Sequence, residues 1–233
     1  MSLPRPLDLL TSFAASTARF WGGIRMLSLG PRPGERLVLY EFEGCPFCRR
    51  VREAITLLDL EVEVRPCPKK GGRFRPEVVA QGGKAQFPYL IDPNTDTAMY
   101  ESADITAYLF ATYGAGLAPW SLTGPLFVPS SMLASWLRPL AGSRCLADPD
   151  RAPAEPLVLY GAEGSPYCRI VREALSELEL PFFLKSTPVD SARWQIVKAS
   201  SPTGQVPYLI DPNTSTAMCE SADIRRYLFS QYG

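Results

Sequence analysis

One segment of this chain occurs twice, and the copy restricts the available folds more than any other feature. Leu37-Val38-Leu39-Tyr40 recurs as Leu157-Val158-Leu159-Tyr160, and Val51-Arg52-Glu53-Ala54 as Val171-Arg172-Glu173-Ala174, both 120 residues on. Past a one-residue deletion the offset is 119. Pro88-Tyr89-Leu90-Ile91-Asp92-Pro93 returns as Pro207-Tyr208-Leu209-Ile210-Asp211-Pro212, and Glu101-Ser102-Ala103-Asp104 as Glu220-Ser221-Ala222-Asp223. A period this long marks a duplicated domain rather than a solenoid of short repeats. The chain therefore divides into an N-terminal helical segment over 1–34, a first module over 35–114, a connector with a helix over 115–153 and a second module over 154–233.

Within the first module the hydrophobic periodicities predict β(37–42), α(46–59), β(61–65), α(74–81), β(88–91), β(97–100) and α(102–113). The opening βαβ unit implies a parallel strand pair. Asp92-Pro93-Asn94-Thr95 is a turn between two short strands, hence an antiparallel hairpin. Ser102 is the expected N-cap of the last helix. The fold class is α/β: two tandem thioredoxin-like (βαβαββα) modules, each preceded by a helical segment. In the first such segment Leu7, Leu9, Leu10, Phe13, Ala14, Phe20, Trp21 and Ile24 have near-helical spacing, and Met132, Leu133, Trp136, Leu137 and Leu140 repeat the pattern before module two. Both read as helices packed into the fold by their apolar stripes. The first segment, with four arginines and one acid, also has the composition of a targeting peptide.

The chemistry-bearing motif is Cys45-Pro46-Phe47-Cys48, at a strand-to-helix junction. A helix N-terminus carries about half a positive charge and stabilises a thiolate. The second cysteine follows one helical turn later, within reach to close a disulfide. The chain has no histidine, which removes Ser-His and Cys-His catalysis and imidazole metal ligands. Cys45 must then be activated by backbone amides, the helix dipole and cations, for which Arg49, Arg50 and Arg52 are candidates and which Glu43 would oppose. A closed zinc site wants four ligands, and without histidine no metal is expected. The equivalent motif in module two is Ser165-Pro166-Tyr167-Cys168, where serine cannot form a disulfide. Cys67, Cys145, Cys168 and Cys219 read as packing residues.

Charge is balanced, with 24 basic and 24 acidic residues, which argues against a nucleic-acid partner. No apolar run approaches the roughly 18 to 20 residues of a membrane span. Cysteines in a redox spacing, with no secretory h-region, suggest a reducing compartment.

Three motifs carry a resemblance. Cys45-Pro46-Phe47-Cys48 resembles the dithiol glutaredoxin site. Phe87-Pro88-Tyr89-Leu90 resembles the cis-proline segment of thioredoxin-like proteins, with Val206-Pro207 as its counterpart. Glu101-Ser102 before the last helix resembles the glutathione-binding element of glutathione S-transferase N-terminal domains, with Glu220-Ser221 as its counterpart. The whole is similar to tandem proteins of cyanobacteria and plastids, which implies a bacterial-type cytoplasm or, alternatively, a plastid stroma. The resemblance implies glutathione as co-substrate, held by the Phe87 backbone, Pro88, Glu101 and Ser102, with disulfides as the other partners. It implies a glutathione-linked oxidoreductase in which Cys45 attacks and Cys48 resolves. Module two is then either degenerate or a second glutathione site built from Ser165, Val206, Pro207, Glu220 and Ser221. The rival readings are a glutathione transferase and a non-catalytic scaffold that holds glutathione or an iron–sulfur cluster. Oligomeric state is open.

Overall fold

A computed structural model describes residues 4–27, 29–139 and 141–233. Residues 1–3 of the first helical segment and Leu140 of the second lie outside the described residues. Helix α1 (Arg5–Ala18) precedes β1 (Leu37–Glu41), α2 (Pro46–Leu57), β2 (Glu61–Pro66), α3 (Arg75–Gly82), β3 (Tyr89–Asp92), β4 (Thr97–Met99) and α4 (Ser102–Tyr113). Helices α5 (Trp120–Thr123) and α6 (Phe127–Trp136) follow. Module two repeats the order as β5 (Leu157–Gly161), α7 (Pro166–Glu177), β6 (Phe182–Ser186), α8 (Trp194–Ser200), β7 (Tyr208–Asp211), β8 (Thr216–Cys219) and α9 (Ser221–Tyr232).

The strands form one sheet in the order β4-β3-β1-β2-β6-β5-β7-β8. β1 and β2 are parallel, as are β5 and β6, and each hairpin is antiparallel. The modules join edge to edge through the antiparallel pair β2–β6, with Val62 opposite Leu184, Glu63 opposite Phe183 and Val64 opposite Phe182. Glu63 and Phe183 are repeat equivalents, so a pseudo-twofold axis runs through their pair, perpendicular to the sheet. Each module covers the unpaired edge that the other would expose.

Strand alternation sends β1 side chains to two cores. Leu37 and Leu39 meet Val51, Ile55 and Leu109 of α2 and α4, in a core continuous with its counterpart in module two. Tyr40 points to the opposite face, against Phe74, Val78 and Tyr89 beside α3. Asp92 anchors the hairpin to α4, accepting hydrogen bonds from Tyr108 (2.6 Å) and Tyr113 (2.5 Å), and Asp211 does the same with Tyr227 and Tyr232.

The two preceding helices pack in a way their sequences do not suggest. α1 lies on α7 of module two and α6 on α2 of module one, and the pair touch each other. Their buried faces mix polar side chains with small or apolar ones. On α1 these are Asp8, Ser12, Ala15, Ser16 and the following Arg19, and on α6 they are Phe127, Ser131, Ala134 and the following Arg138. Leu7, Leu10, Phe20, Trp21, Met132, Leu133 and Trp136, expected to pack inward, are exposed instead. The reason is the surface beneath. α2 and α7 present arginines and glutamates, and only polar side chains can satisfy them. Ser12 Oγ donates to the Pro166 carbonyl (2.7 Å) and Ser131 Oγ to the Pro46 carbonyl (2.8 Å). Arg19 forks onto Glu53 and Arg138 onto Glu173.

Candidate functional site

Cys45 is the N-cap of α2, and its extended backbone (φ −76°, ψ 120°) aims its sulfur at the first-turn amides. The Cys48 amide donates to Cys45 Sγ at 3.2 Å. Pro46 at the first helical position has no N–H to leave unpaired. Hydrogen bonding to Cys48 lowers the Cys45 thiol pKa; burial opposes this and the Phe47 and Cys48 amides add to it. Cys48, fully buried, moves the other way, pushed well above an ordinary thiol by desolvation and then by its neighbour Cys45. One turn of helix therefore holds two thiols with opposite acid strengths. Cys45 is 4% exposed beside the half-exposed Phe47.

The cations expected to activate Cys45 are turned elsewhere. Arg49 pairs with Glu163 (3.4 Å) and Arg52 with Glu163 (2.9 Å), Glu43 (3.2 Å) and Glu41. The Arg50 guanidinium stacks on Phe127, 4.5 Å from the ring centroid. Glu43 does not face the thiol either: it meets Arg172 of module two (2.9 Å), just as Glu163 meets Arg52. The acid that acts on the dithiol is Glu41, whose charge raises both cysteine pKa values. Its counterpart is Gly161, where an added Cβ would stand 3.1 Å from Cys168 Sγ. The same position in module one thus roots the Glu41 side chain against Cys48. Burial lifts Glu41 to about 7, against the pull of Arg52.

The remaining motif residues gather at the same end of the sheet. Tyr40 pairs with Tyr89 and Leu90 with Met99, so the start of β3 and the end of β4 flank the end of β1 from which the Cys45 loop leaves. The Phe87–Pro88 and Val206–Pro207 peptide bonds are cis. Phe87 packs edge-on against Phe42, with the Arg75 guanidinium 4.7 Å from its ring centroid. Arg75 donates to the carbonyls of Pro68 (2.6 Å) and Cys67 (3.0 Å). It is a cation at the lip that motif spacing did not single out, because it belongs to no motif. Glu101, not Ser102, occupies the cap position of α4, with φ at 65°, and Ser102 begins the helix without a side-chain cap bond. Gln86 Nε2 donates to the exposed Glu101 carboxylate at 2.6 Å, and Ser102 is buried.

Module two keeps this frame with oxygen in place of sulfur. Ser165 Oγ accepts from the Cys168 amide at 3.3 Å, at backbone angles (φ −72°, ψ 121°) close to those of Cys45. Glu220 has φ 68°, and Ser221 is buried behind it. Because β2 and β6 are antiparallel, the two sites open at opposite ends of the sheet. Cys67, Cys168 and Cys219 are buried, Cys145 is half-buried, and all six cysteines are free thiols.

The sequence matches the family described as "Glutathione S-transferase, N-terminal domain" twice, over residues 39–118 and 159–233. The chain belongs to the glutathione S-transferase N-terminal domain family. Each match starts within the first strand of a module and runs through its last helix, so the duplication is a duplication of this thioredoxin-like unit. Over 78 residues the chain is 35% identical to a glutathione S-transferase-like protein, tpcF, of Aspergillus fumigatus; the match covers 34% of each chain. The chain thus matches about a third of that curated relative's length. No solved structure gives a significant match. Among the described residues no helix is long and apolar enough to cross a membrane.

Proposed function

We propose that this member of the family is a glutathione-linked thiol–disulfide oxidoreductase acting through Cys45 and Cys48. The observation that carries the reading is the opposed acidity of the two thiols within one helical turn. The Cys45 thiolate attacks one sulfur of a substrate disulfide, forming a mixed disulfide and releasing the other sulfur as a thiolate, which takes up a proton. Cys48 yields its proton, with the Glu41 carboxylate at hand to accept it, and attacks Cys45 Sγ. The second substrate thiol leaves, and Cys45 and Cys48 are joined. One glutathione thiolate attacks Cys45 Sγ and restores Cys48. A second attacks the glutathione sulfur, leaving glutathione disulfide and a free Cys45. Two glutathiones are oxidised for each disulfide reduced.

Family membership supports glutathione as the reductant. The Phe87 backbone and Pro88 would hold its cysteinyl unit as an added extended strand. The exposed Glu101 carboxylate suits its ammonium, and Ser102 with the α4 N-terminal amides suits its γ-glutamyl carboxylate. Free thiols suit a reducing compartment such as a cytoplasm or plastid stroma. With glutathione as donor and a small mixed disulfide as substrate, Cys45→Ser should abolish reduction, while Cys48→Ser should retain the monothiol reaction. An unchanged rate in Cys45→Ser contradicts the proposal. The rate should rise with pH and level off below the pKa of an ordinary thiol.

A second reading rests on module two. Ser165 at the cap, with Glu220 and Ser221 in the geometry of Glu101 and Ser102, is equipped to donate a hydrogen bond to a bound glutathione thiolate. Conjugation of an aryl halide that survives Cys45→Ser and is lost in Ser165→Ala would favour a transferase.

A further inference from the structure

α1 and α6 bury polar side chains such as Asp8, Ser12, Ser16 and Ser131 and leave large apolar side chains open on their outer faces. The pseudo-twofold axis is perpendicular to the sheet, so both open faces look outward on the same side. They form a two-helix platform over α2 and α7. Phe20 is 81% exposed, Trp136 74%, Trp120 67% and Leu10 64%, joined by Leu7, Leu126 and Met132. Phe20 and Trp21 hold left-handed backbone angles (φ 52° and 57°), an uncommon conformation for consecutive aromatic residues. Between the end of α1, α5 and α6 lies a cleft of about 560 Å³, lined by Phe20, Trp21, Trp120 and Leu126 with Arg19 and Arg25.

The charge of this layer decides what covers it. Residues 115–147 contain no aspartate or glutamate, and residues 1–34 contain only Asp8. Asp8 is buried against Arg138 (2.7 Å) and Arg225 (3.4 Å). The exposed charges of the N-terminal segment include Arg5 and Arg25. We infer that the platform is a docking face for an anionic lipid bilayer surface. Tryptophan and phenylalanine side chains enter the interfacial region, and the arginines meet lipid phosphates, with no helix spanning the membrane. A second copy is the weaker occupant. Pairing two such faces would set arginine-bearing layers against each other with no exposed acid in either to match them.

The test is flotation of the full chain with vesicles of phosphatidylcholine alone and of phosphatidylcholine mixed with phosphatidylglycerol. The protein should float with the anionic vesicles, with a blue shift in tryptophan emission, and partition at least about tenfold less onto the neutral ones. Trp120→Ser with Trp136→Ser, and separately Arg5→Glu with Arg25→Glu, should each cut anionic partition about tenfold or more while leaving the thermal melt unchanged. Failure to float with either vesicle overturns the inference. So does a concentration-dependent dimer in sedimentation velocity that the tryptophan variants abolish. Cys45→Ser should bind vesicles as wild type does, which separates this inference from the redox proposal.

Discussion

Glu41 and Gly161 occupy one position in the two repeats, and the carboxylate is found only beside the complete Cys-x-x-Cys. A buried acid is costly unless paired, and Arg52 compensates only in part, so Glu41 rests at about 7. An unfolded glutamate titrates at ~4.3. Between that value and about 7 the folded protein holds a proton that the unfolded chain has lost, so stability falls as pH rises through this window and levels off above it. Relative to Glu41→Gln, wild type should lose about 4 kcal/mol across the window, read from urea unfolding of both proteins at each pH. A difference independent of pH would contradict this assignment. Cys45 and Cys48 were legible in the sequence because local spacing sets their geometry. The duties of Arg49 and Arg52 were not, because their partner Glu163 is 114 and 111 positions away, respectively, across the module joint.

At the scale of elements, strand and helix boundaries in module one were readable to within a residue or two, since each rests on periodicity and on Pro or Gly punctuation. The preceding helices were legible as helices but not in orientation. An apolar stripe ordinarily marks the buried face. Here the buried face is chosen by the charged surface of α2 and α7. Ser131 illustrates the consequence, because its hydroxyl joins α6 to the Pro46 carbonyl beside Cys45. Ser131→Ala should cost about 1 kcal/mol and lower Tm by about 2–4 °C, measured by thermal circular dichroism. An unchanged melt would mean that this contact does not hold the helix.

For the whole molecule, the duplication was plain in the sequence and the joint between the copies was not. β2 and β6 alternate as any half-covered strands do, and nothing local says that each covers the other's edge. The joint also buries Glu43 and Glu163 with Arg49, Arg52, Arg169 and Arg172, and removing one member of such a group leaves a buried charge unpaired. Glu163→Gln should destabilise both modules together, by about 3–5 kcal/mol. Tryptophan fluorescence and circular dichroism should give coincident urea midpoints in wild type and variant, and two separate transitions would contradict a shared joint. The central claim, glutathione chemistry at Cys45, is tested most directly by intact mass of a Cys48→Ser variant exposed to oxidised glutathione. A single adduct of about 305 Da, mapped to Cys45, is the predicted result for a mixed disulfide trapped without its resolving thiol. No adduct, or an adduct on another cysteine that persists in the Cys45→Ser background, would contradict it.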